Sequence, residues 1–596
     1  MLHRDATNQT PAFSFQARSL VQGSAQAVLL HADVGLSFWG GVDPFSGEVI
    51  DRHHPLSGQV IAGSVLAIPS GRGSCTGSSV LLELILNGHA PAALVFAETE
   101  EILTLGVLVA HLLFGRSLPV VCVDRNAFAA LRSARHLRIE NGWVQGFTEP
   151  PDDGWTTSAD HEDSRIPTGI ALNEQDRAML AGEQGKATQA AMQILLHMAE
   201  LLGAHELVDI TRAHIDGCIY TGPASLRFAR QLADWGARVK VPTTLNSISV
   251  DQKRWRQMGV AAAFGEPASL LADAYVEMGA NASFTCAPYL LDSAPKAGEQ
   301  IVWAESNAVV YANSVLGART LKYPDFLDIC IALTGRAPLV GCHLPDQRHA
   351  TVRIDLPPLQ ALDDSFYPLL GYHVGLLCGS DIPLVCGLEK TSPTLDDLKA
   401  FGAAFATTSA APMFHIAGVT PEALTAEAAL GDQAPRRTLP LDTRDLMNSW
   451  RELDSGEPSD VELISLGNPH FSLSEFSRLA QLCEGKTKHV DVSVLVTCGR
   501  EIQRQAREAG YLQRIERFGV HVITDTCWCM IEEPIIPRTA RTLMTNSGKY
   551  AHYAPGLVGR QVRFGSLAEC VETACSGQAS GRLPRWLAAA EIEGAH

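Results

Sequence analysis

The chain lacks any surplus of positive charge: 47 Lys and Arg stand against 65 Asp and Glu, a formal net charge of −18. Nucleic acids and anionic membranes both reward basic patches, so neither is expected as the main partner. An acidic average still permits a local cationic pocket for a small carboxylate. Long unbroken apolar runs are missing too. The most apolar stretch near the front, Ile102 to Asp124, is interrupted by His111 and Arg116 and reads as a buried helix, loop and strand. Residues 1–16 are polar and mixed, without the apolar core of an export signal, so a cytoplasmic, reducing location is expected. The 14 cysteines are then not expected to form a disulfide framework. Paired C-x-x-C spacing is absent, which excludes a local zinc finger or ferredoxin loop. Any thiol-held cluster has to gather its cysteines from distant segments. A Walker A ending, short-period repeats and low-complexity tracts are lacking as well.

What is present is a soluble α/β pattern too long for one hydrophobic core. Residues 1–148 form a first unit, with expected strands at 60–68, 92–97 and 119–123 and helices at 79–87 and 102–114. Residues 149–169, rich in Pro, Asp, Ser and Thr, read as a linker that lets the first unit move. From residue 170 to 596 a larger region alternates helices with strand-like runs, implying mainly parallel sheets. Its first helix is expected to run unbroken to Leu202 with Asn173 as N-cap. Further strands are expected at 207–210, 238–241, 283–286, 461–466, 493–497 and 520–524, and residues 431–440 read as a connector between lobes.

Several clusters are suited to chemistry. Pro69 to Ser78 lies between a strand and a helix, and its glycines allow successive N–H groups to form an anion nest. Arg72 adds a fork for carboxylate or phosphate, and Ser74 presents a hydroxyl where negative charge is favoured. A plain glycine turn whose hydroxyls cap the helix explains the same residues equally well. The G-x-G-x-x-x-G spacing also leaves a loose dinucleotide turn open, and with it a nicotinamide-dependent oxidoreductase. Cys286 and the Cys527/Cys529 pair stand at strand-to-loop junctions, where open α/β sheets build sites, and thiolates suit iron–sulfur clusters or zinc. Against this, a cysteine at such a position is more often core than ligand. Glu305, Ser306 and Asn307 form a polar island in an apolar segment, as a lined pocket or a buried network would. His214 reads first as a structural histidine, and Lys549 first as a surface lysine.

Taken together these segments resemble the aconitase X family. The small part resembles its swivelling domain through AGSVLAIPSGRGSCTGSSVLLE and APAALVFAETEEIL. The large part resembles its catalytic domain through ALNEQD, HIDG, VPTTLN, FTCAPY, WAESNAVVYANSVLGART, GNPHFS, DTC and TNSGKYAHY. The resemblance implies an aconitase-like α/β fold, a small swivelling domain beside a large multi-lobed catalytic domain. Within the family, two-subunit members dehydrate mevalonate 5-phosphate and fused single-chain members dehydrate cis-3-hydroxy-L-proline. The fused arrangement here implies the second activity and a small hydroxy amino acid as partner, with a monomer expected. Mevalonate 5-phosphate or another small 3-hydroxy acid is the alternative substrate, and a non-enzymatic iron–sulfur sensor is a reading from another class.

Asn468 stands where two-subunit members carry a ligand cysteine, which implies a smaller cluster of the [2Fe–2S] type. Cys286 and Cys527 match family ligand positions. Cys529, Cys498 and Cys570 compete for the third, with Cys529 preferred. By analogy Ser74 is the base, with Ser78 the fallback. Arg72, Gly73, Cys75, Thr76, His214, Thr244, Glu305, Ser306, Asn307 and Lys549 are the implied substrate-binding set.

Overall fold

The computed structural model describes residues 10–52, 54–71, 75–151, 166–457 and 459–588. The chain divides into two compact units, one of Met1–Asp209, Thr221–Lys240 and Tyr323–Val340, the other of Ile210–Tyr220, Val241–Lys322 and Gly341–His596.

The first unit is built on an eight-stranded sheet in the order Phe13–Gln16, Trp143–Phe147, His136–Glu140, Ala25–His31, Val65–Ala67, Ala93–Phe96, Val120–Cys122, Arg18–Val21. Its middle strands, from Ala25–His31 to Val120–Cys122, run parallel, and the flanking pairs are antiparallel. The parallel strands are near-continuous Val, Leu and Ala because both faces are covered. Helices Gly77–Asn87 and Ile102–Phe114 pack on each other closely: a Cβ on Gly106 would stand 2.8 Å from the Ser78 carbonyl oxygen. Asn173 caps the next helix through a capping box with Asp176, as expected. Asp176 is itself buried and paired with Arg336, Nε to Oδ1 at 2.9 Å.

One expected long helix is instead two, Glu174–Leu180 and Lys186–Leu201, because Gly182 and Gly185 both take positive φ (82° and 94°) and turn the chain between them. The strand expected at 238–241 is not formed. Pro242 precedes the actual strand, Thr243–Leu245, and the Lys240 N–H is taken by the Ala332 carbonyl at 2.9 Å instead of a sheet partner.

The second unit carries three sheets in which every pairing is parallel. The first orders Thr243–Leu245, Ala213–Ile215, Val302–Trp303. The second orders His415–Ile416, Pro383–Cys386, Val352–Asp355, Arg437–Pro440. The third orders Val520–Thr524, Ser493–Cys498, Leu463–Leu466, Thr542–Thr545, Gln561–Phe564. Arg437–Pro440, read from sequence as part of a connector, is thus an edge strand. A large apolar core that includes Trp303, Phe366, Phe401, Trp528 and Trp586 fills the space around the helices of this unit. Residues 283–286 are irregular where a strand was expected. The Ser283 hydroxyl takes the Leu245 N–H at 2.8 Å, and Phe284 adopts φ 38°, which ends any extended run. Among the described residues no helix is long and apolar enough to cross a membrane.

Candidate active site

A parallel sheet aims all its carboxyl ends at one edge, and side chains on the departing loops converge there. In the second unit, Asp216 follows strand Ala213–Ile215, Asn246 and Ser247 follow Thr243–Leu245, and Glu305 follows Val302–Trp303. From the five-stranded sheet, Asn468 and His470 follow Leu463–Leu466, Cys527 and Cys529 follow Val520–Thr524, and Lys549 follows Thr542–Thr545. Cys286 rides on the irregular segment beside the small sheet, where the Thr285 N–H donates to the Leu245 carbonyl at 3.1 Å.

The three thiols share one electrostatic environment. The interaction of the Cys527 and Cys529 side chains raises the Cys527 pKa and lowers that of Cys529. Burial raises the Cys286 pKa, and the neighbouring Cys527 and Glu305 push it further up. Backbone and side-chain donors are aimed at sulfur: the His470 N–H reaches Cys286 Sγ at 3.3 Å, and Asn468 Nδ2 reaches Cys529 Sγ at 3.7 Å. The Lys549 ammonium favours the thiolate form of all three. N–H···S bonds together with a nearby cation are what a thiolate needs where water is excluded. Among the described residues, no group of three or more His, Cys, Asp and Glu side chains is arranged to hold a single metal ion.

Beside the thiols lies a buried ion pair. Lys549 Nζ donates to Glu305 Oε1 at 2.8 Å, and Asn307 Nδ2 donates to the same oxygen at 2.5 Å. Asn246 Nδ2 bridges Glu305 Oε2, at 3.2 Å, and the Asp216 carboxylate. Burial alone would raise the Glu305 pKa, but Lys549 and the two amides outweigh it and hold the group ionised. Lys549 is likewise kept charged against burial, by Glu305, Cys529 and Cys286. The Tyr289 hydroxyl donates to Asn307 Oδ1 at 3.0 Å and fixes its amide orientation.

Two buried histidines lie beside these groups. His214 Nδ1 lies 2.8 Å from the Thr244 hydroxyl, which faces the Ala213 carbonyl at 3.3 Å, and burial drops its pKa to about 3. His470 ties two cysteine loops together, its Nδ1 at 3.1 Å from the Thr285 hydroxyl and its Nε2 at 2.9 Å from the Thr526 carbonyl. Burial lowers its pKa to about 4. Both rings are neutral at ordinary pH.

Of the residues expected from sequence, Cys286, Cys527, Cys529, Glu305, Asn307 and Lys549 come together here, with His214 and Thr244 behind them. Ser306 opens the helix Ser306–Tyr311 and is half-buried. Cys498 and Cys570 lie elsewhere: Cys498 neighbours Asp525, Arg254 and Asp251, and Cys570 is buried in the helix Leu567–Ser576 near Asp364. Sequence reasoning passed over Asn246 and Tyr289, although they end the motifs VPTTLN and FTCAPY. In the first unit, Arg72, Gly73 and Ser74 lie outside the described residues. Cys75 and Thr76 are buried ahead of the helix Gly77–Asn87. The Ser78 hydroxyl is bonded to the carbonyls of Cys75 and Asp325 at 3.1 and 3.2 Å, which makes it a tie and not a free base.

Comparison with known proteins assigns this arrangement to a class. Residues 14–146 match the aconitase X swivel domain, 169–346 its first domain, 350–451 its second and 461–576 its third. The chain belongs to the aconitase X family, in its fused single-chain form, and is an enzyme of the hydro-lyase class. It is 59% identical to cis-3-hydroxy-L-proline dehydratase of Pseudomonas aeruginosa over 96% of this chain and 98% of that one. It is 56% identical to the Hypocrea jecorina protein of the same name over 98% of each. The large subunit of phosphomevalonate dehydratase from Methanothermobacter thermautotrophicus is 36% identical over 65% of this chain and 95% of its own length. Among solved structures, Thermococcus kodakaraensis aconitase X in its holo form superposes with TM-score 0.61 at 32% identity, covering 68% of this chain and all of that one.

Proposed function

We propose that the chain dehydrates cis-3-hydroxy-L-proline to Δ1-pyrroline-2-carboxylate. The observation that carries this reading is the buried Lys549–Glu305 pair beside the thiols. A site whose cation is matched by an anion complements a zwitterion, with the ammonium of the substrate facing Glu305 and its carboxylate facing Lys549. A phosphorylated hydroxy acid brings extra negative charge to a pocket whose lysine is already neutralised, so mevalonate 5-phosphate fits this pair less well. Full-length identity to two proteins of that activity supports the same choice.

The reaction removes the C2 proton and the C3 hydroxyl as one water. The first product is an enamine, which tautomerises to the cyclic imine. Charge develops on the carboxylate side of C2, where the Lys549 ammonium stabilises it. Ser74 is the proposed base, and the neighbouring Arg72, Gly73, Cys75 and Thr76 are proposed to line the substrate with Ser306 and Asn307. His214 and Thr244 shape the wall behind Glu305. Residues 1–148 are proposed to swivel on the 149–169 segment relative to 170–596.

The donor set fits an iron–sulfur cluster: soft thiols on two separate loops, with N–H groups aimed at two of the sulfurs. Cys286, Cys527 and Cys529 would hold it, and the absence of a thiol at Asn468 favours the [2Fe–2S] type. When bound, such a cluster supplies a Lewis acid that eases departure of a hydroxyl.

The reading is tested by anaerobic purification followed by a visible spectrum and an assay of cis-3- beside trans-4-hydroxy-L-proline. Brown protein that dehydrates only the cis-3 compound is expected, and Ser74→Ala should keep the colour and lose turnover. Turnover of a phosphorylated hydroxy acid in place of the proline would overturn the substrate.

A further inference from the structure

We infer that Arg500 is a positioning residue for the thiol centre, fastening the Cys286 loop to the Cys527 loop and holding both in backbone conformations they would not keep alone. The inference rests on the reading that these cysteines are ligands. Two described non-glycine residues of positive φ stand at equivalent places: Phe284, φ 38°, two positions before Cys286, and Asp525, φ 71°, two positions before Cys527. L side chains rarely adopt this region, a bulky aromatic least of all, and such strain persists only where the surroundings over-determine it. Both residues are fully buried.

One side chain touches both. Arg500 begins the helix Arg500–Glu508, just past strand Ser493–Cys498, which lies between the strands feeding Cys527 and Asn468. The edge of its guanidinium forks onto Asp525, Nε to Oδ1 at 2.6 Å and Nη2 to Oδ2 at 2.8 Å. Its face lies over the Phe284 ring, 4.6 Å from the centroid. Nη2 also donates to Gln252 Oε1 at 3.1 Å, and the Gln252 N–H donates to Asp525 Oδ2 at 3.1 Å, closing the ring of contacts. The preceding Gly499 lets the chain run against the Cys286 loop, since a Cβ there would stand 3.1 Å from Thr285 Cβ. A planar fork that binds a carboxylate by its edge and an aromatic by its face is available to arginine and not to lysine. Arg500 touches neither sulfur. It acts through the two backbone segments that aim them.

The test is Arg500→Lys, purified anaerobically beside the unaltered chain and Arg504→Lys, a control on the exposed face of the same helix. Iron release to a coloured ferrous chelator under reductant is expected to be about ten-fold faster in Arg500→Lys, the scale for losing a group that supports a ligand. The thermal midpoint of the iron-free protein should change little. Equal release rates would overturn the clamp, and so would a lowered iron-free midpoint with unchanged release, which marks a merely structural ion pair. Should Arg500→Lys fold poorly, Asp525→Asn breaks the fork while keeping a residue tolerant of positive φ, and it carries the same two outcomes. Iron retained by Cys286→Ala and Cys527→Ala would overturn the ligand reading itself. The clamp then stands or falls on alkylation of Cys286 and Cys527, which Arg500→Lys accelerates if the loops are released and leaves unchanged if they are not.

Discussion

At the scale of single residues, the proposed role of the Lys549–Glu305 pair in binding substrate comes at a cost in stability. Replacing a buried pair by apolar groups is often neutral, whereas removing one partner strands a charge. Lys549→Met should therefore destabilise the fold by about 3 kcal/mol and lower kcat/KM at least about 100-fold. Adding Glu305→Gln should restore most of the denaturant midpoint and none of the turnover. Restored activity in the double variant would mean that neither charge meets the substrate.

Glu100, in the first unit, behaves in the opposite way. Its carboxylate accepts the N–H groups of Ile102, Leu103 and Thr104 at 3.1, 2.8 and 3.1 Å, yet burial outweighs them and lifts its pKa to about 7. The folded chain thus binds this proton more tightly than the unfolded one, whose ordinary value is 4.5. Its stabilising contribution is present below that value and is lost as pH climbs towards about 7. Glu100→Gln removes the titration. Thermal midpoints of the variant should vary less between about pH 5 and pH 7 and exceed the parent's above pH 7, the underlying free-energy difference being on the order of 3 kcal/mol.

Among elements, the helix pair of the first unit shows one physical effect overruling another. Glycine inside a helix costs about 1 kcal/mol relative to alanine, so Gly106→Ala would stabilise an isolated helix. In the folded unit the added methyl meets the Ser78 carbonyl oxygen at 2.8 Å, and backbone cannot step aside as a flexible side chain does. The helices must part, at a cost of about 1–3 kcal/mol, so the net change should be destabilising when read as a lowered denaturant midpoint.

Periodicity made the helices 79–87 and 102–114 legible because apolar repeats declare themselves locally, and the strand at 520–524 was legible for the same reason. The break at Gly182 and Gly185 was not, since positive φ at a glycine leaves no mark on the hydropathy pattern. The segment around Cys286 misled for a related reason: Ser283, Phe284 and Thr285 have strand-like composition, but a side-chain hydroxyl replaces the ladder and Phe284 leaves the β region. The sequence prefers Cys529 over Cys498 and Cys570, and in the structure Cys529 is the one of the three that shares its surroundings with Cys527. Asn246 escaped notice because an asparagine after a strand reads as a turn residue until Asp216 and Glu305 are seen on either side of it.

For the whole molecule, the decisive feature is that the thiols belong to two separate stretches of chain, around residues 286 and 527, and that a third loop, around residue 468, aims donors at both. Locally closed metal sites fold a few neighbouring residues. Here any ligand that binds the folded form draws on segments hundreds of residues apart, and its binding energy is distributed over all of them. Iron removal by an anaerobic chelator should therefore raise amide exchange together at Thr285–Cys286, Asn468–His470 and Thr526–Cys529. Strands Val65–Ala67 and Ala93–Phe96, which lie in the other unit, should keep their protection. Simultaneous loss across the three loops is the signature of a shared ligand whose hold exceeds that of the His470 ring, which links the Thr285 and Thr526 segments. If only one loop loosens, the three cysteines do not serve a common centre, and the thiols at 286, 527 and 529 are packing residues of a site that works through Lys549 and Glu305.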